Sequence, residues 1–162
     1  MKLIMDSDCL VKLTKAGAKE AILSSIEVSI PALVKRETVD EAKDKGHQDG
    51  LIIEENLSKK TLRVVEAKRK RRSLMAATKG EEEVVSVYLS GTYDAVASDD
   101  RRFLKRLESA NIPYLTPTAC LVYVYEVGRI EQFEALQMLE SLKPYISSPE
   151  YAVARVYMER KS

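Results

Sequence analysis

Histidine and cysteine are both scarce in this sequence of 162 residues. The single histidine, His47, argues against catalytic triads that need histidine and against histidine-rich zinc sites. The two cysteines, Cys9 and Cys120, stand far apart and form no CxxC pair, so we expect no disulfide framework and a reducing environment. Any chemistry that this chain performs must therefore depend on its carboxylates.

Long apolar runs are also missing. No run approaches the roughly 20 residues that a membrane-spanning helix needs. The short apolar start, Met1 to Met5, is followed at once by Asp6, so we expect no secretory signal peptide. Together with the cysteine usage, these absences predict a cytoplasmic protein that does not engage a membrane.

Charge is nearly balanced overall but unevenly distributed. The chain has 26 basic and 25 acidic residues, a net charge of +1. Residues 57–80 contain nine basic residues and one acidic residue, net +8, whereas the rest of the chain carries −7. Such a cluster is typical of a polyanion-binding surface, of a docking surface for an acidic partner tail, or of a solvated helix face or loop. We interpret its densest part as a nucleic-acid-binding run: Lys68, Arg69, Lys70, Arg71 and Arg72.

Short apolar runs alternate with helical patterns along the chain. Strands are predicted at residues 3–5, 28–30, 62–65, 95–98 and 112–115. From Pro117 onward the pattern is helical, with breaks at Gly128 and Pro144. The alternation predicts parallel βαβ units in a single domain over residues 1–162. The expected fold is a three-layer α/β/α sandwich around a short, mainly parallel five-stranded sheet, with extra C-terminal helices.

Acidic residues follow several of the predicted strands. Because ligands of open parallel sheets bind beyond the carboxyl ends of the strands, we expect these carboxylates to meet at one edge. Carboxylates grouped without compensation raise each other's pKa values, and a divalent cation removes that cost. Oxygen ligands without His or Cys favour Mg²⁺ or Mn²⁺. The acids concerned are Asp6, Asp8, Glu37, Glu81, Glu82, Glu83, Asp99 and Asp100.

Each of these acids also has a purely structural interpretation. An aspartate between a strand and a helix, such as Asp6 or Asp99, is a common helix N-cap. The three glutamates at 81–83 would complement the dipole of the helix that they open. Glu37 fits a solvated helix face. The prediction of a site therefore depends on the combination of acids and on their order along the chain.

Four short segments resemble, in order, the motifs of PIN-domain nucleases. Residues 6–11, Asp-Ser-Asp-Cys-Leu-Val after an apolar strand, resemble the opening motif, and residues 30–39 resemble the second, which places a glutamate on a helix. Residues 79–85 resemble the Gly-Glu-x-Glu-apolar variant of the third, and residues 97–103 resemble the Thr/Ser-x-Asp-x-x-Phe element of the fourth. Residues 111–117 fit the last strand of the family and its exit. The resemblance covers about residues 1–130, and residues 131–162 form a predicted helical C-terminal extension.

The resemblance implies metal-dependent cleavage of RNA, with Mg²⁺ or Mn²⁺ as cofactor and a 3′-hydroxyl and a 5′-phosphate as products. Carried over by position, the implied catalytic and metal-binding residues are Asp6, Glu37, Glu81, Asp99 and Asp100. Glu82 and Glu83 remain alternatives to Glu81. Spacing to Phe103 favours Asp100 as the fourth acid, whereas direct exit from the strand favours Asp99. The implied supporting residues are Ser7, Asp8 and Ser98, and Asp8 stands where relatives more often have Ser or Asn.

Many small members of the family, of the VapC type, are toxins neutralised by an antitoxin. The resemblance therefore implies an RNA substrate and leaves an antitoxin protein and a homodimer open as partners. The apolar C-terminal helices, with a stripe from Phe133 to Leu142, fit packing against the sheet or an interface of this kind.

Two other functions remain as alternatives. One is a non-catalytic, PIN-like RNA-binding module, against which the complete set of acids argues. The other is a haloacid-dehalogenase-like phosphatase, because Asp6-Ser7-Asp8 resembles its Asp-x-Asp start. Against the phosphatase, Cys9 replaces the usual glycine, and no convincing lysine motif follows in the middle of the chain.

Overall fold

One parallel sheet forms the centre of the protein. The computed structural model describes residues 1–67 and 78–160. The strands are β1 (Lys2–Met5), β2 (Glu27–Pro31), β3 (Leu62–Val65), β4 (Ala95–Ala97) and β5 (Tyr114–Leu115). Their order in the sheet is β3-β2-β1-β4-β5, and every neighbouring pair is parallel. The predicted fold class is therefore confirmed, with all five strands at the predicted places.

Helices connect the strands and extend the chain beyond the last one. After β1 come α1 (Ser7–Lys15) and α2 (Lys19–Leu23), and after β2 come α3 (Ala32–Lys35), α4 (Glu41–Asp44) and α5 (Gln48–Ser58). Helix α6 (Lys79–Ser90) precedes β4, and α7 (Arg101–Ser109) joins β4 to β5. The C-terminal helices are α8 (Pro117–Glu126), α9 (Gln132–Leu142) and α10 (Ser148–Arg160). Gly128 at positive φ separates α8 from α9, and a 3₁₀ turn at Lys143–Tyr145 follows α9.

The strand order explains how the helices divide into two layers. The chain moves from β1 to β2 to β3 in one direction and then returns to add β4 and β5 on the other side of β1. Because parallel crossovers are right-handed, this reversal puts α6 and α7 on the face opposite the earlier helices. Consistently, α6 packs on β1, β2 and β4, while α1 packs with α5, α8 and α9. The two layers cover the sheet and leave its carboxyl edge between them.

The central strand β1 is buried on both faces, as expected for a strand inside a parallel sheet. Its residues Leu3, Ile4 and Met5 have at most 1% exposure. Where α1 meets α8, the free thiols of Cys9 and Cys120 are buried against each other. Burial and the neighbouring thiol raise the pKa of Cys9 well above its usual value, so this pair is part of the apolar core.

A π-helical turn interrupts the helix that follows β2. The sequence pattern predicts one helix to about Gly46, but residues Arg36–Asp40 form a wider turn between α3 and α4. Within it the buried Thr38 hydroxyl donates to the Val34 carbonyl oxygen at 2.8 Å, a bond that competes with the regular helical ladder. Isolated π turns often mark functional positions, and this one carries Glu37.

The C-terminal helices both cover and extend the core. In α9 the residues Ala135, Leu139 and Leu142 are buried, while Phe133 is 73% exposed. Helix α10 contributes buried Met158 to the core but leaves other apolar side chains exposed, namely Val153, Val156 and Tyr157. Over the described ranges, no helix combines the length and the apolar character needed to cross a membrane.

The two phenylalanines of the chain provide a matched test of the core. Phe103 on α7 is fully buried, so Phe103→Ala removes a packed ring and leaves a cavity; we expect it to lower the free energy of unfolding by about 3–5 kcal/mol. Phe133→Ala is the control, with an expected change within about 0.5 kcal/mol because the side chain is exposed. Urea denaturation of both variants measures the difference, and equal losses would contradict the assignment of Phe103 to the core.

Candidate active site

The carboxyl ends of β1 and β4 form the point at which the strand order reverses. The two strands are neighbours, and the Asp6 amide continues their ladder by donating to the Ala97 carbonyl oxygen at 3.0 Å. Asp6 follows β1 directly, and the buried Ser98 follows β4. In open parallel sheets the crevice at such a reversal is the usual ligand site.

Asp6 is the partly buried carboxylate at this junction. It caps α1 by accepting a hydrogen bond from the Cys9 amide at 2.9 Å, and the Ser98 hydroxyl donates to its other oxygen. The pKa of Asp6 is raised from 3.8 to about 7, chiefly because the carboxylate is buried; the hydrogen bonds from Ser98 and Cys9 act against this rise, and the charges of Asp8 and Asp100 add to it. The carboxylate is thus an electrostatically costly anion, and a nearby cation would stabilise its charged form.

Glu37 is brought to the same edge by the π-helical turn. The Ser7 hydroxyl, at the start of α1, donates to Glu37 Oε2. From the other layer, Gly80 lies near Glu37: a Cβ added there would be at an ordinary van der Waals distance of 3.9 Å from Oε1. Parts of the first and third sequence motifs, Ser7 and Gly80, therefore lie beside the glutamate of the second motif.

Asp99, the other residue that leaves β4, forms an ion pair with Lys12 of α1. The Lys12 ammonium contacts Asp99 Oδ2 and also lies 2.8 Å from Asp8 Oδ2, one helical turn before it. Burial tends to lower the pKa of Lys12, but the hydrogen bonds to Asp8 and Asp99 outweigh it and raise the pKa. Lys12 therefore stays charged and links two of the predicted site residues.

Asp100 has a different environment from Asp99. It caps α7, where Oδ1 accepts from the Arg102 amide at 2.8 Å and from the Phe103 amide at 2.9 Å. Its own amide donates to the Ser98 hydroxyl oxygen at 3.2 Å, which ties it to the partner of Asp6. The structure thus places Asp99 in an ion pair and Asp100 at a helix start beside Ser98.

The three glutamates at the start of α6 have different surroundings. Glu81 completes a capping box with Thr78 and accepts from Arg106 Nη1 of α7 at 2.8 Å. Glu83 accepts from the Leu33 amide at 3.0 Å and so satisfies a donor in the first turn of α3. Glu82 is exposed. Of the residues in this segment, Gly80 is the one that lies beside Glu37.

The predicted site residues are gathered at one edge but divided among several partners. Within residues 1–67 and 78–160, no three side chains of His, Cys, Asp or Glu are grouped to ligate one metal ion. Asp6 and Glu37 take hydrogen bonds from hydroxyl groups, whereas Asp99 and Glu81 take them from cationic side chains. The donors are all oxygens, which fits a hard cation such as Mg²⁺ or Mn²⁺. The predicted nucleic-acid-binding run, Lys68 to Arg72, lies outside the described residues.

Sequence reasoning missed the side chains that pair with these acids. The spacing of Lys12 four residues after Asp8 on a predicted helix was a usable signal, since such residues share a helix face. No sequence signal links Arg106 to Glu81. After the edge strand β5, the Thr116 hydroxyl donates to Glu150 Oε1 at 2.6 Å. The pKa of Asp99 is raised mainly by burial, and the negative charge of Glu150 adds a smaller contribution. The first residues of α10 therefore also act on this edge.

Comparison with known proteins shows what the chain is similar to. The family model DUF3368, a PIN domain, matches residues 2–159 of the chain. Among solved structures, the chain is similar to SSO1118, a PilT N-terminus domain protein from the hyperthermophilic archaeon Sulfolobus solfataricus P2. The two share 12% sequence identity with a TM-score of 0.50, over 76% of this chain and 93% of that one, so the likeness concerns the fold alone. No curated protein sequence matches the chain significantly.

The environment of Asp6 predicts a pH-dependent stability. Because its pKa rises from 3.8 in the unfolded chain to about 7 in the folded one, the folded state holds the extra proton between these values. The free energy of unfolding should therefore fall as the pH rises through this window. Asp6→Asn removes that loss, and we expect the variant to be more stable than the wild type by about 1–2 kcal/mol at pH 8 with a chelator present.

The measurement is thermal or urea unfolding at pH 4.5 and pH 8. The stabilisation should shrink toward the lower pH, and Asp44→Asn, an exposed acid at the end of α4, should track the wild type at both. An Asp6→Asn variant less stable than the wild type at pH 8 would contradict this description of the site.

Proposed function

The chain belongs to the PIN-domain family, and on that premise we propose that it is a Mg²⁺- or Mn²⁺-dependent endoribonuclease that hydrolyses RNA phosphodiester bonds. The observation that carries the proposal is the position of Asp6 at the strand reversal, where Ser98 donates to its carboxylate and burial raises its pKa to about 7. If Asp6 only capped a helix, burial would be a disadvantage, because it penalises the charged carboxylate. If Asp6 binds a cation, burial is an advantage, because it strengthens the attraction between the carboxylate and the ion.

The acids that we propose as ligands of the cation are Asp6, Glu37 and Asp100, which in the described residues are not yet grouped closely enough to share one ion. In the described residues Asp6 and Glu37 accept hydrogen bonds from the hydroxyl groups of Ser98 and Ser7, and neither carboxylate forms an ion pair. Asp100 joins them because its charge acts on Asp6 and its amide shares Ser98 with it. When bound, a divalent cation polarises phosphate oxygens and makes water a nucleophile near neutral pH.

The residues around these acids would orient them. Ser98 fixes the Asp6 carboxylate from β4, and Ser7 fixes Glu37 from α1. Outer partners of this kind usually set the geometry of metal ligands, and their loss typically lowers activity about 10–100-fold. Ser7 and Ser98 therefore act as positioning residues, in agreement with the supporting role that the sequence resemblance implies for them.

A polyanionic substrate is supported by the basic residues that open the neighbouring helices. Arg101 and Arg102 are exposed in the first turn of α7, directly after Asp100, and Lys79 is exposed in the first turn of α6. Arginine and lysine next to the amide-rich start of a helix are typical phosphate contacts. The basic run at 68–72 lies outside the described residues, and its role in binding nucleic acid stays a prediction from the sequence. RNA rather than DNA, and a toxin role with an antitoxin or homodimer partner, follow from the family resemblance and remain predictions.

Two conservative substitutions test the proposed chemistry. Asp6→Asn and Glu37→Gln keep the size of each side chain but remove its charge, so we expect each to abolish cleavage of a fluorescent single-stranded RNA in the presence of Mn²⁺. Wild-type cleavage should disappear with a chelator and return on addition of Mg²⁺ or Mn²⁺. Asp44→Asn serves as the matched control and should cleave as the wild type does.

Other outcomes separate the alternatives. Full activity of folded Asp6→Asn with metal bound normally would exclude the assignment. Release of inorganic phosphate from a small phosphomonoester, without cleavage of RNA, would favour the phosphatase. Calorimetry that detects no Mn²⁺ binding at millimolar metal would favour the non-catalytic module.

A further inference from the structure

Helix α10 carries apolar side chains on its outer side as well as on its inner side. The inner residues Ala154 and Met158 are buried in the core. On the outer side Val153 is 72% exposed, and Val156 and Tyr157 are each 44% exposed. Because residues three and four positions apart share one helix face, these three side chains form a continuous stripe, which we call the outer stripe. Single exposed apolar residues are common, whereas a continuous stripe of them is typical of a protein–protein interface.

An open groove runs beside the outer stripe, between α10 and α8. Its volume is about 590 Å³, and Val153 and Tyr157 line it from α10. Its α8 wall consists of small, apolar and aromatic side chains: Ala119, Val122 and Tyr123. The Tyr157 hydroxyl donates to a carboxylate oxygen of Glu126 on α8, which holds the exposed ring in place. A surface that offers both a ridge and an adjoining recess is able to pack against a copy of itself.

Opposite charges stand at the two ends of the outer stripe. Glu150 lies in the first turn of α10 and Arg160 in its last turn, about 15 Å apart along the helix axis. The positions 150, 153, 157 and 160 follow steps of three and four residues, so all of them share the stripe's face. A partner segment of one charge sign would match only one end of the stripe. A second copy of α10 that runs antiparallel matches both ends, because each acid then meets a base.

We propose that the outer stripe and the groove form an interface between two copies of this chain, related by a two-fold axis with their α10 helices antiparallel. Glu150 then faces Arg160 of the partner subunit, and Val153 faces Tyr157 of the partner subunit. The two-fold axis makes each of these pairs occur twice. The proposal assigns a surface to the homodimer that the family resemblance leaves open, and it does not depend on the proposed nuclease activity.

The proposed interface adjoins the acidic edge of the sheet. Glu150 accepts a hydrogen bond from the Thr116 hydroxyl at 2.6 Å, and its negative charge adds to the raised pKa of Asp99. Arg160 of the partner subunit would therefore bring a positive charge to an acid that already acts on this edge. The dimer thus combines an apolar centre, which supplies most of the binding energy, with charged ends that fix its direction.

Sedimentation velocity measures the oligomeric state directly. At about 50 μM, which populates a complex of micromolar affinity, the wild type should sediment with twice the mass of one chain. Val153→Glu puts a charge at the apolar centre of the interface and should weaken association about tenfold or more. Leu51→Glu is the matched control and should stay dimeric, because Leu51 is also exposed, at 57%, but lies on α5, which packs on α1, α4 and β3.

Reversal of the end charges tests the antiparallel pairing. Glu150→Lys brings two positive charges together at each end of the interface, and Arg160→Glu brings two negative charges together, so each should weaken the dimer about tenfold or more. The double variant restores opposite charges and should return the affinity to within about threefold of the wild type. Loss of a merely structural contact would not be rescued in this way. Circular dichroism verifies that every variant is folded.

Several results would overturn the inference. They are a wild type that is monomeric at this concentration, a folded Val153→Glu that stays dimeric, and a double variant as weak as the single ones. Loss of the dimer in folded Leu51→Glu would do so as well, because it would place the interface on another face. RNA cleavage is not a readout in these measurements, so their failure leaves the proposed nuclease activity untouched, and loss of that activity leaves the dimer untouched.

Discussion

The hydrogen bond from Ser98 to Asp6 joins the two strands at which the sheet reverses. Asp6 begins α1 by capping it, and Asp100 begins α7 in the same way while its amide donates to the Ser98 oxygen. One buried hydroxyl therefore links the starts of two helices on opposite faces of the sheet. The direction in which each helix leaves the sheet, and hence the position of every acid carried by its first turn, depends on this junction.

The acids at this edge differ in how their charge is compensated. Hydroxyl donors orient Asp6 and Glu37 without neutralising them, whereas Lys12 neutralises Asp99 and Arg106 neutralises Glu81. The net charge of +1 does not reveal this distinction, because the sum of charges over the whole chain does not tell which acidic side chains are paired with basic ones. The acids without an ion-pair partner in the described residues, Asp6 and Glu37, are two of those that the proposed cation would use.

The sequence predicted the strands well because each is a short apolar run in a chain of alternating elements. It also predicted that Asp6 would follow the first strand and the Asp99–Asp100 pair the fourth, but the adjacency of these two strands in the sheet became known only from the structure. The π-helical turn around Glu37 was not predictable from a pattern of period 3.6. Nor was the separation of Asp99 from Asp100, because it depends on Lys12 reaching across from another helix. Membership of the PIN-domain family, which the four motifs predicted, is confirmed.

The buried thiols of Cys9 and Cys120 give this edge an internal reporter. Cys9 is three residues after Asp6 in the first turn of α1, and both thiols have no exposed surface. An alkylating reagent can reach them only when α1 separates from α8, and the high pKa of Cys9 keeps its thiol unreactive until then. The alkylation rate therefore measures the local opening equilibrium of the helix that carries Asp6, without substrate, metal or turnover.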